Sequence, residues 1–140
     1  MLYLFGAKDK DKKEGFRYTK KAAEGGEPTA MGNLANCWYY GNGTKKDRRL
    51  ARVWYQKASD AGMDSSTTQL AVMYHEDGNE EKAFSLFKQA AERGYPEAMG
   101  WLAACYQYGY GTEPNSLAAV QWLEKASAAG SREAETALRY

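Results

Sequence analysis

The residues best suited to chemistry in this chain are one histidine and two cysteines. His75 is the only histidine, so a cysteine–histidine nucleophile pair would have to use Cys37 or Cys105. Such a pair needs a thiol that can ionise beside an accessible imidazole. Both cysteines instead occupy positions on a helical stripe that the pattern predicts to face the core. No set of His, Cys, Asp or Glu shows the spacing of metal ligands. The sequence therefore predicts no enzymatic activity, no metal and no cofactor.

Two short segments carry the Gly-x-Gly pattern that can cradle a phosphate group. They are Gly41-Asn-Gly43 and Gly109-Tyr-Gly111. A phosphate-binding loop follows a strand and continues with Lys-Ser or Lys-Thr into a helix. Neither feature accompanies these segments, and we interpret their glycines as turn residues between two helices.

These features recur along the chain at a fixed spacing, which is the signature of a repeat architecture. Gly26, Gly62, Gly94 and Gly130 lie 36, 32 and 36 residues apart, and columns of alanine and of large apolar residues keep the same spacing. The second copy is shorter because its turn is reduced to Glu76-Asp-Gly78. Length variation of this kind is cheapest in a loop.

Each copy predicts two helices, which we name A and B in chain order. On one face, helix A carries a stripe of leucine, then alanine, then cysteine or methionine, then an aromatic residue. In two of the copies a proline, Pro28 or Pro96, lies in its first turn. Helix B starts after a residue that can cap free amides: Asp11, Asp47, Asn79 or Asn115. The predicted organisation is one all-α domain of residues 1–140, with helix B at 11–25, repeats at 27–62, 63–94 and 95–130, and a terminal helix at 131–140.

Charge and hydropathy argue against two classes of partner. The chain has 19 Lys and Arg against 18 Asp and Glu, a net charge of +1. It therefore lacks the basic excess expected of a nucleic-acid binder. No long apolar run predicts membrane insertion, and the apolar segment 2–5 is too short for a signal peptide, although export stays open. The basic cluster at residues 45–49 is interpreted as a solvated loop, with a site for an acidic partner segment as the alternative.

The third copy has the residue order of a known family. Its pattern is Ala98, Leu102, Ala103, Tyr106, Gly109, Gly111, Asn115, Ala119, Trp122, Lys125, Ala126 and Gly130. This order resembles the Sel-one-like repeat, a relative of the tetratricopeptide repeat, and the resemblance covers nearly the whole chain. It implies a right-handed α/α superhelical solenoid of about four two-helix repeats that serves as an adaptor in protein complexes. Thr44 and Thr112 stand where the family usually has valine, and the second copy lacks one loop glycine.

Some cysteine-rich relatives of that family pair two cysteines within each repeat. Here Cys37 and Cys105 share one helix position two repeats apart, which is too far for a disulfide because its Cα atoms lie within about 7 Å. We expect both to be free, small buried hydrophobic residues. This weakens the link to the penicillin-binding or lactamase-like activity of those relatives, and a penicillin-recognising hydrolase remains only an alternative.

The resemblance also implies a binding surface, because the A helices of the tetratricopeptide fold line its concave side. Carried over to this sequence, the faces left free by the core stripe give these candidate partner-binding residues: Asn36, Tyr39, Tyr40, Thr68, Val72, His75, Gln107 and Tyr108. The same faces hold the small residues Gly32, Gly100 and Ala104, which leave room for a guest backbone. Aromatic and amide side chains are suitable anchors. Tyr40 and Tyr108 could instead cover the turn between the two helices. Asn36, Tyr39 and His75 are preferred because nothing in the repeat's own packing demands them.

The predicted function is a protein–protein interaction module that binds a peptide or protein surface in its concave groove. Three alternatives remain: an inhibitor or immunity-type protein that neutralises one partner, the penicillin-recognising hydrolase, and a purely structural segment. The chain opens near the end of one A helix and closes inside another. Leu2, Leu4 and Phe5 of one copy could therefore complete the broken helix of a second copy, which predicts self-association. A fragment of a longer solenoid is the other explanation.

Overall fold

A computed structural model describes the backbone of residues 2–139 and the side chains of residues 10–139. These residues form α-helices and no strands, so the all-α prediction is confirmed. The helices are α1 Leu2–Glu24, α2 Pro28–Tyr40, α3 Arg48–Asp60, α4 Asp64–Glu76, α5 Glu80–Glu92, α6 Pro96–Tyr108, α7 Ser116–Ala128 and α8 Arg132–Arg139. None of them combines the length and apolar character needed to cross a bilayer.

Consecutive helices pack against one another as pairs. Helix α2 packs on α3, and α6 packs on α7. The chain divides into two compact units, with the boundary between Ser66 and Thr67 inside α4. In the second unit, the core consists of alanines from the repeating columns around larger residues such as Phe87, Leu102 and Cys105. Alanine at these positions lets neighbouring helices approach closely, and a larger side chain would overpack them.

The helix starts are set by capping side chains. Asp47, Asn79 and Asn115 each accept a hydrogen bond from the backbone amide three residues later. These contacts satisfy amides that have no partner within the helix. The predicted caps of α3, α5 and α7 are therefore confirmed.

The first helix differs from the prediction. Helix B was expected to start after Asp11, but Asp11 lies inside the continuous helix α1. The turn before α3 uses Gly41 and Gly43 in the left-handed conformation, and the residues 36 positions earlier are Phe5 and Ala7. A side chain in that conformation costs about 1–2 kcal/mol, so a chain without these glycines continues as a helix.

The predicted self-association depends on the apolar side chains near the start of α1. The side chains of Leu2, Leu4 and Phe5 lie outside the described part of the chain. Self-association therefore stays a prediction.

The two Gly-x-Gly loops pack against the backbone of the preceding B helix. A Cβ atom on Gly43 would lie 2.9 Å from the carbonyl carbon of Lys12, and one on Gly111 would lie 2.7 Å from that of Glu80. Real Cβ atoms essentially never come so close. The glycines therefore allow a close contact between loop and helix, in addition to the turn itself.

The contrast between Asp47 and Asp11 gives a test of the capping assignment. Asp47→Ala should lower the free energy of unfolding by about 1 kcal/mol, because an α3 amide loses its partner. Asp11→Ala should leave stability unchanged or raise it by a few tenths of a kcal/mol, because alanine favours a helix interior. Urea unfolding followed by circular dichroism measures both. An equal loss in the two variants would show that Asp11 also caps a helix.

Candidate partner-binding site

The small residues predicted at one equivalent position of successive A helices are not all accessible to a partner. Thr68 is fully buried and offers no surface to a partner, so its place among the binding residues is corrected. Gly32, one repeat earlier, is also buried, and a Cβ there would lie 2.7 Å from the Ser66 Oγ atom. A Cβ on Gly100, one repeat later, would meet open space. These three positions lie on the same face of their helices. Whether each one is buried depends on the side chains that the neighbouring helix packs against that face.

In the first unit, the predicted residues on α2 form part of a small aromatic cluster. The Asn36 side-chain oxygen accepts a hydrogen bond from the Tyr55 hydroxyl. The Tyr39 ring lies edge-on to Tyr40, with centroids 4.8 Å apart, and to Tyr55 at 6.4 Å. Asn36 and Tyr39 are therefore used by the repeat's own packing, contrary to the expectation. Tyr40 is 54% exposed.

His75 has a structural role in the second unit. Its Nδ1 atom lies 2.8 Å from a carboxylate oxygen of Glu80, the first residue of α5. Its ring contacts two aromatic rings, Trp101 on α6 and Tyr110 in the following loop. The ring centroids lie 5.6 Å and 4.8 Å away, respectively. The expectation that packing does not demand His75 is therefore wrong. Its side chain is 26% exposed, and it connects three elements.

Trp101 fills the space between α4 and α6. Its ring stacks on Phe87 of α5 with centroids 5.1 Å apart and planes within 4° of parallel, while His75 contacts it edge-on. We call His75, Phe87 and Trp101 the aromatic plug. Stacked and edge-on pairs each contribute about 0.5–1.5 kcal/mol beyond area burial.

The aromatic plug is absent one repeat later. Gln107, Leu123 and Ala137 occupy the positions equivalent to His75, Phe87 and Trp101 at spacings of 32, 36 and 36 residues. All three are smaller or non-aromatic, and a groove of about 630 Å³ opens between α6 and α8. We call it the α6–α8 groove. It is lined by Pro96, Glu97, Gly100, Trp101, Ala104, Gln107, Tyr108, Leu123, Ser131, Glu133, Ala134 and Ala137.

The groove brings together the residues predicted on α6. Gly100, Ala104, Gln107 and Tyr108 all line it, and Gln107 and Tyr108 are exposed. Val72 lies on α4 outside this lining and packs against the core. Sequence reasoning missed Trp101 and the contribution of α8. The available signal was the joint change at three equivalent positions, where His75, Phe87 and Trp101 are followed one repeat later by Gln107, Leu123 and Ala137.

The cysteines are poorly suited to nucleophilic chemistry. Both are free; Cys105 is buried and Cys37 is half-buried, more accessible than expected. Burial raises the pKa of the Cys105 thiol to about 12, and the Glu80 carboxylate adds to the rise. Burial also raises the pKa of Cys37. Both thiols are thus protonated at neutral pH. Among the described residues, no group of three or more His, Cys, Asp or Glu side chains could hold a metal ion.

The difference in thiol exposure is testable by labelling. Burial keeps the Cys105 thiol protonated at about pH 8, and only the thiolate reacts with DTNB. DTNB should therefore react with Cys37 slowly, at a rate that rises with pH, and with Cys105 only after unfolding. A folded Cys37→Ser variant should show almost no early reaction. Rapid labelling of that variant would contradict the burial of Cys105.

Comparison with known proteins places these repeats in a family. The family model described as Sel1 repeat matches residues 1–27, 28–63, 65–95 and 96–131. A Sel1 repeat protein from Oxalobacter formigenes is similar in structure with a TM-score of 0.83 and 26% sequence identity, over 89% of this chain and 53% of that one.

Two further solved structures share the fold. A protective antigen of uropathogenic Escherichia coli strains, displaying an SLR fold, has a TM-score of 0.82 at 24% identity, over 88% of this chain and 27% of that chain. Cysteine rich protein B from Helicobacter pylori has a TM-score of 0.68 at 21% identity, over 90% and 93% of the two chains. The chain thus spans about half the length of the Oxalobacter protein and about a quarter of the Escherichia coli antigen. With its four matched segments and its all-α fold, the chain belongs to the Sel1 repeat family.

Proposed function

We propose that this chain is a protein-interaction scaffold that holds an extended segment of a partner protein in the α6–α8 groove. The Sel1 repeat fold generally serves as a scaffold for protein–protein interaction, typically without enzymatic activity. The observation that carries the proposal is the open groove where Gln107, Leu123 and Ala137 replace the aromatic plug.

The size and lining of the groove suit a peptide. Its volume of about 630 Å³ lies within the range of about 300–1,000 Å³ typical of ligand pockets. Gly100 leaves open space for a guest backbone. Trp101 and the 62% exposed Tyr108 supply aromatic surface, which is enriched at interface hot spots. Gln107 adds an amide that can pair with a guest peptide bond.

The first unit offers a smaller contact of the same kind. Tyr40 ends α2 as Tyr108 ends α6, and both rings are mostly exposed. Tyr39 packs against Tyr40 and orients it. We include the Tyr40 ring in the proposal as a separate contact for a partner surface.

Filling the groove tests the proposal. Gly100→Leu places a large side chain in open space and should favour the helix, since leucine is a better helix former than glycine. Short peptides are first selected from a random phage-displayed library on the wild-type chain. Fluorescence anisotropy should then show at least tenfold weaker binding to Gly100→Leu, because an added side chain occupies the volume needed by the guest.

The matched control is Gln121→Leu, which adds the same side chain at an exposed site on α7 outside the groove. This variant should bind the selected peptides as the wild type does. Circular dichroism of both variants should show unchanged helicity. If the selection yields no binding peptides, or if Gly100→Leu binds them normally, the groove is not the binding site.

A further inference from the structure

We infer that the segment bound in the α6–α8 groove presents an arginine side chain. This inference rests on the proposed function and adds the chemistry of the partner. It follows from two features of the groove that point to the same ligand: glutamate carboxylates that pair with no described basic side chain, and accessible aromatic rings.

The charge of the groove is negative. Glu97 in the first turn of α6 and Glu133 in the first turn of α8 both line it, and none of the described lining residues is a lysine, arginine or histidine. Unlike-charge complementarity across an interface favours specific partners. A segment with a basic side chain is therefore favoured over a neutral or acidic one.

The two carboxylates have only weak partners within the chain. A Glu97 oxygen accepts a hydrogen bond from the Tyr95 hydroxyl at 3.3 Å, and a Glu133 oxygen accepts one from the Ser131 hydroxyl at 3.4 Å. Both bonds are long and come from neutral donors. Among side chains that the structure describes, no lysine or arginine pairs with either glutamate. Each carboxylate can therefore accept stronger bonds from a cationic guest.

Aromatic rings in the same groove also suit a cation. Trp101 and Tyr108 line it, and aromatic faces attract ammonium and guanidinium groups. The chain uses this contact elsewhere: the Nζ atoms of Lys57 and Lys125 each lie 4.3 Å from the ring centroid of a tryptophan. In the described part of the chain, no such internal cation covers Trp101 or Tyr108.

Arginine fits this combination better than lysine. Its planar guanidinium group can stack on an aromatic ring while its fork of donors reaches a carboxylate. The proposed guest is thus an extended segment in which one arginine lies among small or apolar residues. The small lining residues Gly100, Ala104 and Ala137 leave room for the backbone of that segment.

A peptide pair tests this inference separately from the proposed function. The probe is a selected groove-binding peptide, synthesised with arginine or with citrulline, its neutral isostere. The arginine peptide should bind about tenfold more tightly, as expected for two partly exposed charge pairs and a ring contact. The double variant Glu97→Gln and Glu133→Gln should remove most of that difference. Glu124→Gln, an exposed acid on α7 outside the groove, should leave it unchanged.

The outcomes separate the two proposals. If selected peptides lack basic residues, or if citrulline and arginine peptides bind equally while Gly100→Leu still weakens both, the arginine inference is wrong and the groove remains a binding site. An unchanged arginine preference in the double variant also contradicts the inference. If no peptide binds in a Gly100-sensitive manner, the proposed function itself is wrong.

Discussion

Replacing Gly111 with alanine should lower the free energy of unfolding by about 2–5 kcal/mol. Two costs add at this position. Gly111 has a φ of 71°, where a side chain costs about 1–2 kcal/mol. The new Cβ would also lie 2.7 Å from the Glu80 carbonyl carbon, which is backbone and cannot rotate away. The loop also carries Tyr110, whose ring contacts His75, so its displacement would loosen the aromatic plug.

Gly78→Ala is the matched control for this prediction. Gly78 has a φ of 83°, and a Cβ there would meet no atom within 4 Å. Only the backbone cost applies, so the loss should be about 1–2 kcal/mol. Urea unfolding of the two variants gives the comparison, with unchanged m-values as the check for two-state behaviour. Equal losses would show that the Gly-x-Gly loop does not pack closely on α5.

The helix pairs could be predicted from the sequence because their signals are local. A capping side chain such as Asp47 and a stripe of small and apolar residues act within a single helix. The prediction failed at Asp11 because a helix start also needs a turn before it. Phe5 and Ala7 cannot replace the left-handed glycines of that turn at low cost.

The candidate site could be predicted only in part. Spacing within α6 was sufficient to place Gln107 and Tyr108 with Gly100 and Ala104, off the core stripe, since 3.6 residues per turn fixes which side chains share a face. The burial of Thr68 and the pairing of His75 with Glu80 were not predictable in this way. They depend on side chains that neighbouring helices bring from other positions in the chain.

The α6–α8 groove reflects three equivalent positions whose residues change together from the second repeat to the third. His75, Phe87 and Trp101 fill the space between α4 and α6, and each equivalent residue in the next repeat is too small or non-aromatic to do so. No single column predicts an opening. Their joint change predicts a cleft, and its position is where the structure has the α6–α8 groove.

Restoring the missing ring should close the groove. Ala137→Trp places an indole at the position equivalent to Trp101, where it can lie against Leu123 as Trp101 lies against Phe87. We expect selected peptides to bind this variant about a hundredfold more weakly, because an aromatic side chain occupies the volume of the guest. Stability should be unchanged or slightly higher, since the indole buries apolar area. Fluorescence anisotropy and urea unfolding measure the two effects.

Thr136→Trp separates filling of the groove from the mere presence of another tryptophan. Thr136 is the adjacent, exposed residue of α8 and does not line the groove, so this variant should bind peptides as the wild type does. In Ala137→Trp, by contrast, the indole should be shielded from acrylamide quenching. Normal peptide binding by Ala137→Trp, with the indole shielded, would mean that peptides bind elsewhere. The loss of the aromatic plug would then be a packing difference between repeats, without a role in recognition.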